Sequence, residues 1–334
     1  MLALAEELGL DELRAQALST LGVARFNAGD RGGLEDVARS LELALAINAP
    51  VQIYNAYNTL AALHWNLAPL ARAVQLVASA REVAERFGLG HHARHSTAGE
   101  ARIQLMLGHW PEAERLADEF FAKTERAVPH YNEPFCRYVR ATIRLARGDA
   151  PGALDESVRS LELARRSRDP QILAPSIATR ARILAATGSL DEAAVLADEL
   201  LRMPDPLPGY GEPIDFAWVL LALGRGVELS ALVERAAGLN GWVTPALAIA
   251  AGDLERAANL LAETGAATEE AYARLRAAEA LAKAGRRAEA DAQLQRALDF
   301  YREVGATAYV REAEALLAEP GGRRDPENLK HDGG

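Results

Sequence analysis

Three histidines occupy five positions in the stretch GLGHHARH, which runs from Gly88 to His95. On a helix, His91 and His95 share one face because residues four apart are neighbours, and paired histidines are common zinc ligands. A zinc site needs three or four ligands, and no carboxylate or cysteine follows within the next four residues. The nearest acid, Glu100, is five residues beyond His95 and lies off its face. We therefore expect no metal site, and we predict that His95 lines a groove or faces solvent.

Catalytic signatures are missing from the rest of the sequence. It contains no H-E-x-x-H, G-x-S-x-G, G-x-G-x-x-G or C-x-x-C motif and no P-loop. The single cysteine, Cys136, lies among apolar neighbours, which favours a packing role over a nucleophilic one. The acidic pairs Asp191–Glu192 and Glu269–Glu270 fall near predicted helix starts, where negative charge interacts well with the helix dipole. The sequence thus predicts a chain that is not an enzyme and holds no cofactor.

The composition and net charge of the chain limit the kinds of protein it can be and the partners it can have. The chain has 334 residues, of which 49% are hydrophobic, and a net charge of −10. A nucleic-acid partner is not expected, because its phosphates need a basic face. One cysteine permits no intramolecular disulfide and fits a reducing compartment. No apolar run reaches the roughly 18–20 residues of a membrane span, and no signal peptide opens the chain. A cytoplasmic location with no membrane contact is the expectation.

Internal repetition is the strongest pattern in the sequence. Short breaks with glycine recur about every 40 residues in the first five units and at shorter intervals afterwards. Alanine takes the place of glycine once, at Ala68 in NLAPL. The glycines of these breaks are Gly29, Gly108, Gly148, Gly188, Gly224, Gly252 and Gly285. Since glycine readily adopts the left-handed conformation that ends a helix, each break predicts a tight turn between two helices.

The residues around each turn point to a known kind of repeat. Small residues recur seven positions before the turn, as at Ala101 and Ala141, and five positions after it, as at Ala113 and Ala153. This combination resembles the tetratricopeptide repeat (TPR) over roughly residues 10–304, although the period is longer than that of the family. The resemblance implies an all-α fold: a right-handed α-solenoid of about eight TPR-like helix-turn-helix repeats with a C-terminal capping helix. Stacking is required because one hairpin cannot bury its own apolar stripe.

Two irregular stretches divide the chain. Residues 1–203 are predicted to hold repeats one to five, with 2–9 as the remnant of a second helix or as a cap. A stretch rich in proline and glycine, 204–213, predicts a loop, with a hinge as the alternative. Residues 214–319 are predicted to hold the less regular repeats six to eight and the capping helix. Residues 320–334 lack periodicity and are expected to be disordered.

The carboxyl-terminal repeats carry a second resemblance. The stretch EAYARLRAAEALAKAGRRAEADAQLQRALDFYREVGATAYVREAEALLA is similar to the C-terminal TPR region of actinobacterial proteins with a cyclase and an ATPase domain upstream, and STAND-type regulators have comparable arrays. This likeness implies a non-catalytic module for protein–protein interaction or regulation, the C-terminal arm of a multidomain bacterial signalling ATPase or cyclase. The alternative is a solenoid domain of a transcription regulator that senses a small molecule.

The TPR resemblance also indicates a binding surface, because the first helices of TPR arrays line the concave face. Carrying the pattern over position by position selects Asn55, Asn58, Trp65, His95, Arg102, Tyr138, Thr142 and Arg182. Amides suit the backbone of an extended peptide and aromatic rings suit its side chains. The alternative is that the aromatic residues pack between repeats. Glu100, Arg140 and Arg180 replace core leucines of the family pattern, which leaves open a groove shifted by one helical row.

Arginines of the first helices predict the charge of a partner. One row holds Arg102 and Arg182, and a second holds Arg140, Arg144 and Arg180. Stacking would align these rows into a positive strip that receives an acidic segment of a protein or peptide partner, or an upstream domain of the same parent chain. The alternative is that acids of the second helices, such as Glu156, neutralise the strip.

Overall fold

The structure of the chain, a computed structural model, describes residues 2–124, 130–203, 213–233 and 240–318. All regular secondary structure within these ranges is α-helical. The helices are α1 (Leu2–Glu7), α2 (Asp11–Asn27), α3 (Gly33–Ala46), α4 (Pro50–Leu67), α5 (Ala71–Arg86), α6 (Gly90–Met106), α7 (Trp110–Thr124), α8 (Glu133–Arg147), α9 (Ala150–Ser167), α10 (Pro170–Ala186), α11 (Leu190–Leu201), α12 (Ile214–Ala222), α13 (Val227–Val233), α14 (Val243–Ala250), α15 (Leu254–Thr264), α16 (Ala267–Lys283), α17 (Arg287–Val304) and α18 (Thr307–Ala318).

The helices pack as sequential pairs. From α2/α3 to α16/α17 the described residues form eight hairpins, with α1 before the first and α18 after the last. Each of the first five hairpins also packs its second helix against the first helix of the next pair, as α3 does on α4 and α5 on α6. The expectation of an all-α, TPR-like solenoid of about eight hairpins with a C-terminal capping helix is therefore confirmed.

The turns have the backbone conformation that the sequence predicts. All seven turn glycines have positive φ angles, for example 86° at Gly108 and 91° at Gly148. Ala68, which takes the glycine position of the second hairpin, also has a positive φ, of 41°. The small residues beside the turns are buried, with Ala101 and Ala141 both 0% exposed. Close helix contact within each hairpin follows from these small side chains.

The last five helices lie against the turns of the second, third and fourth hairpins. The indole Nε1 of Trp242, just before α14, donates to the carbonyl oxygen of Trp65 at 2.8 Å. Trp110 Nε1 donates to Thr268 Oγ1 at 2.8 Å, and Thr307 Oγ1 donates to the carbonyl of Arg147 at 3.0 Å. The array thus folds back on itself, so that its interior is enclosed by early and late repeats together. No pattern in the sequence predicts this closure.

Some sequence predictions fall outside the described residues. The predicted loop at 204–213 is described only at Pro213, and the predicted disordered tail at 320–334 is not described. Within the described ranges, no helix is long and apolar enough to cross a membrane.

Candidate functional site

A cavity of about 320 Å³ opens on the inner side of the array. It lies between α4 and α6, which make little direct contact with each other, whereas α6 packs on α8 and α8 on α10. The amino-terminal ends of α8 and α10 close it on the other side. Its polar and aromatic lining consists of Asn58, Thr59, Trp65, His95, Arg102, Tyr131, Asn132, Phe135 and Gln171. We call this space the first cavity. Most of its wall comes from the first helices of the hairpins.

An arginine held between two aromatic rings forms one wall of the first cavity. The guanidinium carbon of Arg102 lies 4.6 Å from the ring centre of Trp65 and 4.8 Å from that of Phe135. Arg102 is 9% exposed. Contact with aromatic rings is worth more when the cation is desolvated, and it fixes the plane of the guanidinium fork. This geometry suits recognition of a planar carboxylate.

A histidine and the turn before α8 form the opposite wall. The Nδ1 atom of His95 accepts hydrogen bonds from the Tyr131 hydroxyl at 2.6 Å and the Asn132 side-chain amide at 3.0 Å. Burial, together with the nearby His91 and His92, lowers the pKa of His95 to about 4. Since Nδ1 is an acceptor, the neutral ring carries its proton on Nε2. His95 therefore positions Asn132 and Tyr131 at the cavity.

Two buried polar groups in this lining have no hydrogen-bond partner among the described residues. They are the indole Nε1 of Trp65, a donor, and the side-chain oxygen Oδ1 of Asn132, an acceptor. Trp65 is 6% exposed and Asn132 is 2% exposed. A buried polar group without a partner costs roughly 1–3 kcal/mol. Both atoms are fully buried, so they face the packed wall and not the open space of the cavity.

The histidines of the opening stretch form a stacked cluster. The ring centres of His91 and His130 are 4.3 Å apart, and His130 stacks on Tyr131 at 4.9 Å. Burial lowers the pKa of His130 to about 3. Among the residues that the structure describes, no group of three or more His, Cys, Asp or Glu side chains is arranged to hold a metal ion. The rings here act through stacking and hydrogen bonding, and they support the turn that walls the first cavity.

The candidate nucleophile is deeply buried. Cys136 is 0% exposed and belongs to a hydrophobic cluster with Val139 and Leu116. Burial raises the pKa of its thiol well above the ordinary range. A protonated, inaccessible thiol is a poor nucleophile.

The structure brings together half of the predicted site residues. Asn58, Trp65, His95 and Arg102 line the first cavity. The other four lie elsewhere: Tyr138 lines a narrow adjoining cleft together with Arg102, Asn55 is exposed, Thr142 is half-buried, and Arg182 lines a different cavity.

Five polar or aromatic lining residues were not predicted from the sequence: Thr59, Tyr131, Asn132, Phe135 and Gln171. One signal was available, because Phe135 is 40 residues after His95 and takes the equivalent position in the next repeat. Tyr131 lies one helical turn earlier than Phe135, and Gln171 follows it by 40 residues. Extending the rows of His91 and His95 across the next two repeats selects Tyr131, Phe135 and Gln171, three of the five.

The predicted positive strip is largely neutralised within the chain. Glu156, on α9, lies 3.8 Å from Arg140 and 3.6 Å from Arg144. Arg180 donates to the Ser157 hydroxyl at 3.0 Å. Glu156 therefore offsets Arg140 and Arg144, whereas Arg180 bonds to uncharged groups of α9, so this row is not a continuous strip of available positive charge.

Arg182, from the other row, is also paired. Its Nη1 atom lies 2.5 Å from an oxygen of Asp215 and 2.7 Å from an oxygen of Glu269. Its side chain is 14% exposed and that of Glu269 is 1% exposed. Arg102 and Arg182 thus have different surroundings, and only Arg102 lines the first cavity.

Comparison with known proteins shows the fold alone. No family model matches the sequence, and no curated protein matches it. Among solved structures, a Rap protein complexed with Competence and Sporulation Factor is similar to this chain with a TM-score of 0.53 and 11% sequence identity. The alignment covers 89% of this chain and 76% of the Rap chain. The chain is therefore a TPR-like helical repeat protein that is structurally similar to a Rap protein.

Proposed function

We propose that this TPR-like chain is a non-catalytic binding module whose first cavity receives an extended peptide segment of a protein or peptide partner. The observation that carries the proposal is the lining of the first cavity, where side-chain amides and aromatic rings from α4, α6, α8, α10 and the turn before α8 face one space. A peptide unit offers one carbonyl acceptor and one N–H donor, and the side-chain amides of Asn58 and Gln171 in the lining can bond to both. The structural similarity to a Rap protein crystallised with a peptide factor supports the same ligand class.

The clamped arginine indicates which part of the peptide enters the cavity. Arg102 lies between Trp65 and Phe135 with its fork held in a plane. A carboxylate, from an acidic side chain or a free carboxyl end, fits this fork with two parallel hydrogen bonds. The acidic partner proposed from the sequence therefore remains part of the proposal, with Arg102 as its contact.

A display experiment tests this function. Panning the chain against short random peptides with free carboxyl ends should enrich acidic sequences. The selected peptides should bind the Asn58→Ala and Arg102→Gln variants about 10–100-fold more weakly, because buried polar contacts of this kind are interface hot spots. The matched control is Asn55→Ala, which changes the same residue type on α4 at an exposed position outside the cavity.

Three results would speak against a peptide site. They are a failure to enrich any sequence, equal binding by Asn58→Ala and Asn55→Ala, and a preference for basic peptides. The alternative function is a solenoid that senses a small molecule, and the volume of the first cavity is within the range of small-molecule sites. Thermal stabilisation of the chain by a pool of metabolites, with no peptide enriched, would favour this alternative.

We further propose that the module is the regulatory C-terminal arm of a bacterial signalling ATPase or cyclase. Support comes from the sequence of the last repeats, residues 270–318, which is similar to the C-terminal TPR region of such proteins. The genomic reading frame tests this idea. A Walker motif encoded in frame upstream of Met1 is expected, and an unrelated upstream domain would contradict the assignment.

A further inference from the structure

Gly99 lies inside α6 at a position where the other early repeats have larger side chains. It is nine residues before the turn glycine Gly108. Glycine inside a helix is unfavourable, because it loses more conformational freedom on folding than any other residue. The corresponding positions of the first, second, fourth and fifth repeats, each nine residues before the turn, hold Thr20, Thr59, Val139 and Thr179. Gly99 is therefore a local exception to a row of β-branched residues.

The packing of the chain does not require a glycine at this position. A Cβ atom on Gly99 would meet only Cγ2 of Val77 among the described residues, at 3.7 Å, which is an ordinary van der Waals contact. Gly22, inside α2, is different, because its Cβ would lie 2.5 Å from the carbonyl oxygen of Gly33. Gly22 thus permits a close contact between two helices, whereas Gly99 leaves open space beside α6.

The open space beside Gly99 belongs to the first cavity. His95, Gly99 and Arg102 all line this cavity, and so does Val77. The three residues of α6 are spaced by four and three positions, so they share one face of the helix. Bare backbone therefore lies between a histidine ring and an arginine on the same wall. A threonine at this position, like Thr59 in the preceding repeat, would take up part of that space.

We propose, on the basis of the peptide site described above, that the main chain of the bound peptide crosses α6 at Gly99. Because glycine has no side chain, another backbone can approach the helix closely at this point. Each residue of a helix rises about 1.5 Å, so Arg102 lies about 4.5 Å further along α6. An extended peptide advances about 3.3–3.6 Å per residue. The peptide unit over Gly99 is thus about one residue from the carboxylate that Arg102 binds.

Panning of the full chain against a random library of short peptides with free carboxyl ends tests this crossing point. Gly99→Ala should bind the peptides that the wild type selects about tenfold more weakly, and Gly99→Thr about a hundredfold, because the added groups occupy the space of the main chain. The matched control is Gly90→Ala, at the first residue of α6, where a Cβ meets no neighbouring atom within 4 Å. Gly90 does not line the first cavity, so this variant should bind like the wild type.

Thermal melting without peptide separates loss of space from loss of structure. Gly99→Ala should raise the melting temperature by about 1–3 °C, because alanine is the better helix former and its Cβ is accommodated. Weaker binding by a stabilised variant then reports on the cavity alone. A lowered melting temperature would show that Gly99 has a packing role, as Gly22 has, and would overturn the proposal. If Gly99→Thr fails to fold, Gly99→Ala and its control still decide the question.

Methylation of the peptide shows whether its main chain or a side chain occupies the space. Methyl groups placed on the main-chain nitrogens of a selected peptide, one at a time, should weaken binding to the wild type most, by about tenfold, beside the carboxylate-bearing residue. An equal loss at every nitrogen would contradict a crossing at Gly99.

The binding results distinguish a wrong crossing point from a wrong function. Equal binding of the selected peptides by the wild type, Gly99→Ala and a folded Gly99→Thr would overturn the crossing point and leave the peptide site in place. Enrichment of no peptide by either the wild type or Gly90→Ala would overturn the peptide site itself, and the crossing point with it.

Discussion

The ion cluster around Arg182 makes a quantitative prediction about the closure of the array. Arg182, on α10, bonds Asp215 on α12 and Glu269 on α16, the latter 87 residues further along the chain. Trp218 Nε1 also donates to Glu269, at 3.1 Å. Replacement of Arg182 by methionine keeps most of the side-chain volume but removes the only charge that offsets two buried carboxylates in this contact set.

The expected cost follows from burial. Removal of one partner of a buried ion pair typically costs about 3–5 kcal/mol, because an uncompensated charge stays behind. The Glu269 side chain is 1% exposed, whereas those of Arg182 and Asp215 are 14% and 11% exposed. Partial access to water favours the lower limit, so we expect Arg182→Met to lower the free energy of unfolding by about 3 kcal/mol. Adding Glu269→Gln should recover about 1–2 kcal/mol, since it removes one stranded charge while keeping an acceptor for Trp218.

Urea unfolding followed by far-ultraviolet circular dichroism measures these changes. Arg166→Met is the matched control, because Arg166 is exposed on α9 and its replacement should change stability by less than about 0.5 kcal/mol. A cost for Arg182→Met no larger than that of the control would refute the buried cluster. Strict additivity of Arg182→Met and Glu269→Gln would refute their contact across the closed interior.

Three further substitutions test other parts of the structure. Gly22→Ala should lower the melting temperature through a cost of about 1–3 kcal/mol, because its Cβ would lie 2.5 Å from the Gly33 carbonyl oxygen; an unchanged melting temperature would contradict that close approach. The folded-state pKa of His130, about 3, is below the ordinary 6.5, so the unfolded chain takes up this proton first. Stability should therefore fall as the pH decreases from about 6.5 towards 4, and His130→Gln should flatten that dependence in urea titrations at stepped pH. Trp242→Phe removes the 2.8 Å hydrogen bond to the Trp65 carbonyl and should cost about 1 kcal/mol, and a variant as stable as the wild type would argue against this contact.

The candidate site was only partly predictable from the sequence. Asn58, Trp65, His95 and Arg102 were found because the repeat pattern places them on first helices that face inwards. Asn132 was not found, because it lies in the turn before α8, where helical register gives no information. Its role depends on a hydrogen bond to a residue of the preceding hairpin.

The positions of arginines along successive helices were not enough to predict the net charge of the surface. Arginines recur at matching positions of the repeats, but the charge of a surface depends on every side chain within a few ångströms. Glu156 reaches the second row from α9, and Glu269 reaches Arg182 from a hairpin several repeats away. Neutralisation of the strip by Glu156 was an alternative that the sequence itself offered. The pairing of Glu269 with Arg182 is not indicated by any local sequence pattern.

The sequence by itself determined the hairpins, their number and their turns. Those features depend on local chemistry that recurs along the chain: glycines such as Gly148 that accept positive φ, and small residues such as Ala141 that permit close helix contact. The tertiary structure alone decided how the array closes and what its interior contains. Small rotations between successive repeats accumulate until Trp242 meets Trp65, and a sum of small geometric steps leaves no pattern in the residues themselves. The pairing of Arg182 with Glu269 is a consequence of that closure, whereas the first cavity is lined by the second to fifth hairpins alone.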